Sequence, residues 1–123
     1  MIKTYKDLIV WQKSINLSVK IYKTLTLFPK EELFGLSSQM KRSVVSISSN
    51  IAEGRHRNTR KEFVQFLKIT IGSSAELQSQ LEISKRLSFI SELDYNEYDK
   101  TLNEIMRMLN AMIFKLKAET SKL

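Results

Sequence analysis

FGLSSQMKRSVVSISSNIAEGRHRNTRKEFVQFL, residues Phe34–Leu67, holds one helix, its stop and the start of the next. Met40, Val44, Ile47 and Ile51 recur every three or four positions after Leu36, the spacing of one helical face. Ser37, Ser38, Ser43, Ser46, Ser48 and Ser49 crowd the same segment. Serines propagate helices poorly, but their small bulk lets a neighbouring helix come close. Gly54 stands where a left-handed C-terminal cap is expected. Arg55, His56, Arg57, Asn58, Thr59, Arg60 and Lys61 follow, four of the seven formally cationic. Thr59 and Glu62 have the spacing of a capping box for the next helix.

Outward from this stretch the same period repeats. Downstream, Phe63, Phe66 or Leu67, Thr70, Ser74, Leu77 and Leu81 form a core row, and Gly72 with Ser73, Ser74 and Ala75 predicts a close backbone approach. Upstream, Thr4 and Asp7 start a helix whose main row is Leu8, Trp11, Ile15, Val19, Tyr22 and Leu25, with Val10, Leu17 and Ile21 on a second face. Pro29 ends it, and Phe28, Leu33 and Phe34 are expected to fold back over the core. Asp94 and Glu97 predict the cap of a last helix with the seam Tyr98, Leu102, Ile105, Leu109, Met112 and Leu116. The pattern predicts an all-α, single-domain, up-down-up-down four-helix bundle, with helices at about 5–27, 36–54, 59–87 and 94–118.

Composition narrows the class. The 123 residues include three glycines and one proline, too few turn residues for an all-β domain of this length. There is no cysteine, hence no disulfide and no thiolate metal site. The N-terminus lacks a signal-like apolar run, and no stretch approaches the ~20 apolar residues of a membrane span. A soluble, cytoplasmic protein is expected. Net charge is +7. Residues 1–61 hold 12 Lys/Arg against 4 Asp/Glu, giving +8, and residues 62–123 hold 8 against 9, giving −1. Such asymmetry attracts polyanions at long range.

The basic turn is the candidate site. Arg55 and Arg57 are also explained by the negative end of the preceding helix dipole, but Arg60 and Lys61 open a helix, where cations are mildly unfavourable. The surplus reads as an anion-binding patch of Arg55, Arg57, Arg60 and Lys61, with Lys41 and Arg42 as a second group. Aromatics are not interleaved with the turn, so base stacking is not evident. A serine nucleophile needs a base, and the sole histidine, His56, is not spaced to serve one. Glu53, His56 and Glu62 are the only set suggesting a metal nuclease, without a recognised metal motif. No catalytic residue, cofactor or metal is expected. The apolar face bearing Trp11 and Tyr22 is needed by the bundle, so no membrane role is expected either.

DLIVWQKSINLSVKIYK (residues 7–23), FGLSSQMKRSVVSISSNIAEG (34–54), KEFVQFL (61–67) and SAELQSQLEI (74–83) together resemble the four-helix bundle proteins of the 23S rRNA intervening-sequence family. The resemblance spans about Tyr5 to Lys117, and its specific part is SSNIAEG followed by a basic turn and KEF. Members of that family are similar to accessory proteins of diversity-generating retroelements. The resemblance implies a homopentameric barrel whose basic surface binds nucleic acid and, in the retroelement case, a reverse transcriptase. The family commonly has proline where this chain has Ser48, so a kink there does not carry over.

Apolar rows beyond those of one bundle interior point separately to a partner interface, and cyclic homo-oligomers are the commonest solution. The leading expectation is a non-enzymatic homo-oligomer that binds RNA or DNA through backbone phosphates, as an accessory to a nucleic-acid-handling enzyme. The alternative is a structural or adaptor oligomer acting through protein–protein contacts.

Overall fold

Residues 2–121 are described by the computed structural model. Four helices follow in order: α1 Ile9–Leu25, α2 Leu36–Arg55, α3 Arg60–Arg86 and α4 Glu92–Ser121. Short 3₁₀ turns at Tyr5–Asp7 and Lys30–Glu32 precede α1 and α2, and no strand occurs among the described residues. Cross-helix contacts fix the topology. Ser18 reaches the Val44 carbonyl, Ser46 meets Ser73, Gln78 meets Asp99, and Lys13 and Lys20 meet Glu104 and Glu97. A second contact sets each direction: Tyr22 with Lys41, Ser43 with Glu76 and Glu82 with Tyr95 step the opposite way along the partner helix, so every adjacent pair is antiparallel and α4 closes back on α1.

The core of α2 is Met40, Val44, Ile47 and Ile51, all buried, as the spacing predicts. Burial of such side chains contributes about 1.5–3 kcal/mol each before chain entropy is subtracted. In α4 the seam Tyr98, Leu102, Ile105 and Leu109 is buried and continues through Ile113, while Met112 and Leu116 are only partly covered. In α3 the polar positions Thr70 and Ser74 lie in the core row as expected. Leu67 takes the core position, and Phe63 and Phe66 lie half-buried beside it.

Helix α1 departs from its predicted face. Its buried row is Val10, Ser14, Leu17, Ile21 and Leu25, whereas Val19 and Tyr22 are exposed. Hydropathy favours the wrong row because Ser14 interrupts the right one. The Ser14 hydroxyl is satisfied within its own helix, donating to the Trp11 carbonyl at 2.7 Å. Its small volume suits a position that is fully buried. The first helix also starts later than predicted. Thr4 and Asp7 do form a capping box, but it closes the 3₁₀ turn, and Leu8 is extended before α1 begins.

One more cap differs from expectation. Ser91, not Asp94, caps α4, its hydroxyl accepting from the Asp94 amide at 3.1 Å, so the helix begins at Glu92. Thr59 accepts from the Glu62 amide at the start of α3, as predicted. In the α1–α2 connection only Phe28 folds over the core, against Phe89 at 5.5 Å between centroids. Leu33 is exposed, and Phe34 is 94% exposed. With Leu27, Leu87 and Leu93, they leave this end of the bundle apolar.

Candidate nucleic-acid interface

The other end of the bundle carries the basic turn. Helix α2 runs through Gly54 to Arg55, and His56 terminates it in right-handed backbone, φ −86° and ψ −4°. Gly54 is therefore not the left-handed cap expected from sequence; no glycine among the described residues has positive φ. Its role is space. A Cβ placed there would lie 2.6 Å from the Phe66 Cβ and 3.1 Å from Phe63, so α3 approaches α2 where a side chain is missing. Gly72 shows the reverse: a Cβ there meets nothing within 4 Å, and the expected close approach within this chain is absent.

The short turn is closed by the His56 amide donating to the Glu53 carbonyl and the Arg57 amide to that of Gly54, at 3.2 and 3.1 Å. This puts Arg55, Arg57 and Arg60 on the wall of one cleft of about 560 Å³. The opposite wall is the last part of α4, which adds Lys115 and Glu119, and Phe63 and Met112 give it apolar surface.

Arg57 is held twice, by Glu53 at 2.7 Å and by stacking over Phe66 with its guanidinium carbon 4.6 Å from the ring centroid. Arg60 Nε lies 3.4 Å from Glu119. These pairs are solvent-accessible and individually weak, so a phosphate can compete for both guanidinium groups. Arg55 and Lys115 line the same cleft without an ion pair among the described residues. Lys61 is exposed beside the cleft and does not line it.

Lys41 and Arg42 are not part of this surface. They precede the turn by more than three helical turns on α2, roughly 20 Å at 1.5 Å per residue. Arg42 is exposed, and Lys41 sits over the Tyr22 ring with Nζ 5.3 Å from its centroid.

Folding also brings in aromatics that the local sequence does not show. The N-terminal turn places Tyr5 edge-on to His56 at 5.6 Å, and Trp11 edge-on to Tyr5 at 5.3 Å. Both rings come from about fifty positions earlier in the chain, so only the antiparallel packing of α1 on α2 reveals them. Lys115 and Glu119 were missed for the same reason. Glu53, His56 and Glu62 do not assemble: Glu53 pairs with Arg57, and His56 faces Tyr5. Among the described residues no group of three or more His, Cys, Asp or Glu side chains is placed to hold a metal. No described helix is long and apolar enough to cross a membrane.

Fold and site define an antiparallel four-helix bundle with a cationic cleft at one end and exposed apolar side chains at the other. The chain belongs to the 23S rRNA-intervening sequence protein family, whose pattern matches residues 6–111. It is similar to a solved structure from Bacteroides thetaiotaomicron, a protein with unknown function from the S23 ribosomal protein family. The two are 28% identical with a TM-score of 0.79, over 85% of this chain and 95% of the other. The search of curated proteins found no match.

Proposed function

We propose that the protein is a non-enzymatic, homo-oligomeric nucleic-acid-binding module acting through the cleft at the α2–α3 turn. The observation that carries this reading is the convergence of Arg55, Arg57, Arg60 and Lys115 on one cleft whose one carboxylate among the described residues is Glu119. Guanidinium groups match phosphate geometry and release counterions on binding, which gives affinity with little sequence reading. Tyr5 and His56 beside the turn add ring surface on which an unpaired base can stack. The family's name supports RNA as the first polymer to test. Exposed Val19, Tyr22, Val45, Ile69 and Ile83 on the outer helix faces support a cyclic homo-oligomer. A pentamer is the form implied by the resemblance, and an association with a reverse transcriptase or another nucleic-acid enzyme would follow from it.

The test is fluorescence anisotropy of labelled RNA and DNA across a salt series, with the mass of the same sample measured by sedimentation. Replacing Arg55, Arg57, Arg60 and Lys61 together by glutamine is expected to weaken binding and reduce the log–log salt slope by about 3 per protomer. Equal affinity of parent and variant at every salt concentration would reject the assignment. A mass equal to the 14.3 kDa monomer would reject the oligomer.

The apolar end formed by Leu27, Leu33, Phe34, Leu87 and Leu93 favours the second reading, an adaptor whose main partner is a protein. Absence of nucleic-acid binding at low salt would leave that reading alone.

A further inference from the structure

Near the apolar end, the α1–α2 connection folds over a second cavity of about 250 Å³. Leu25, Phe28 and Leu33 give it apolar walls, and Phe28 is braced by Phe89. Its polar groups come from Tyr22, from Thr26 and Lys30 in the connection, and from the first turns of α2, where Ser37 and Lys41 lie four residues apart on one face. Ser37 is only 4% exposed, yet its hydroxyl has no hydrogen-bond partner among the described residues. A polar ligand in the cavity would give this hydroxyl the partner that it lacks.

The backbone points the same way. Gly35 provides no side-chain cap for α2, and the Ser37 amide has no acceptor among the described residues. The Glu32 carboxylate accepts from the Leu36 amide, at 3.3 Å, and does not reach that of Ser37. Lys41 is held at the wall by the Tyr22 ring, and Lys30 lines the cavity as well. Glu32 does not line the cavity, but its carboxylate at the helix start lowers the positive potential there, which favours a singly charged head group over a doubly charged phosphate. The volume equals that of about eight waters, enough for one bulky side chain with its head group.

We infer that this cavity binds a carboxylate carried on a single bulky apolar group, the head meeting the Ser37 hydroxyl and the Lys41 ammonium and the body resting on Leu25 and Phe28. The same chemistry is offered by a small aromatic acid and by a polypeptide chain ending in an apolar residue. The site lies roughly 21–27 Å from the basic turn along α2, so it stands or falls apart from nucleic-acid binding.

The test is a nitrogen–proton correlation NMR titration of the full chain with 3-phenylpropionate, its neutral analogue 3-phenylpropanol, and acetyl-Ala-Ala-Phe with a free or amidated C-terminus. Saturable shifts centred on Ser37, Lys41 and Phe28 are expected for the charged probes, with binding at least tenfold weaker for the neutral ones. Lys41→Met and Ser37→Ala should each weaken 3-phenylpropionate at least threefold while the rest of the spectrum is preserved. Tighter binding of the free-acid peptide than of 3-phenylpropionate would assign the site to chain ends, and the reverse order to a small acid. Equal binding of acid and alcohol, shifts that map elsewhere or fail to saturate, or unchanged affinity in both variants would overturn the inference.

Discussion

Gly54, in the last turn of α2, and Gly72, in the interior of α3, have opposite surroundings. At Gly54 an added methyl group would overlap Phe66, which forces α2 and α3 apart and outweighs the ~1 kcal/mol that alanine gains in a helix. Gly54→Ala is expected to destabilise the protein by about 1–3 kcal/mol. At Gly72 the space is open, so Gly72→Ala should stabilise by about 0.5–1 kcal/mol. Urea denaturation of both variants checks the pair; shifts of the same sign would contradict the packing at Gly54. Sequence alone could not separate these residues. Gly54 looks like a cap because a polar turn follows it, and Gly72 looks like a contact because small residues follow it. What decides each case is the side chain across the interface, Phe66 in one and none in the other.

At the scale of the element, apolar periodicity placed α2 and α4 correctly because their buried rows are almost uninterrupted. It misplaced the face of α1, where Ser14 sits in the core, and it missed Gln80 and Ser84 at the buried end of α3. Polar residues within a core row carry no hydropathy signal, and their hydroxyl groups are satisfied by carbonyls one turn back: Ser74 donates to Thr70 and Ser84 to Gln80. The end of α3 offers a direct check. Ser88 holds φ 61°, and the amides of Ser88 and Phe89 donate to the Lys85 and Ser84 carbonyls at 3.0 and 2.9 Å, the bonds of a Schellman motif. A non-glycine residue in this conformation costs roughly 1 kcal/mol. Ser88→Gly should therefore raise stability by about 0.5–1 kcal/mol in thermal or urea unfolding. A loss of stability would show that the serine side chain is needed there.

Across the whole molecule, the first helix and the last are joined by charge. Lys13 meets Glu104 at 3.1 Å and Lys20 meets Glu97 at 2.7 Å. The hydrogen bond from Lys13 and its positive charge hold the Glu104 carboxyl below its usual 4.5, and Glu97 holds the Lys20 ammonium above its usual 10.5. The signs set a window. Stability from Glu104 is complete above its unfolded value and is lost as pH falls through the depressed one. Stability from Lys20 is complete below its unfolded value and is lost as pH rises through the raised one. Glu104→Gln should reduce stability at neutral pH and flatten its decline on acidification, so that the two curves converge at low pH. Parallel curves would remove the seam from any account of acid unfolding. This closure was not legible in the sequence, because ion pairs between residues 77 to 91 positions apart follow from topology alone. The cations of the candidate site were legible as a cluster; their facing wall on α4 and their flanking rings were not.

The absent side chain at Gly54 acts as a calliper on the basic end of the molecule. It sets how near the end of α2 and the start of α3 lie, and through them the spacing between Arg55, before the turn, and Arg60, after it. The pitch of this small charged lattice, and hence which backbone geometry it can register with, is gauged by a single missing methyl group.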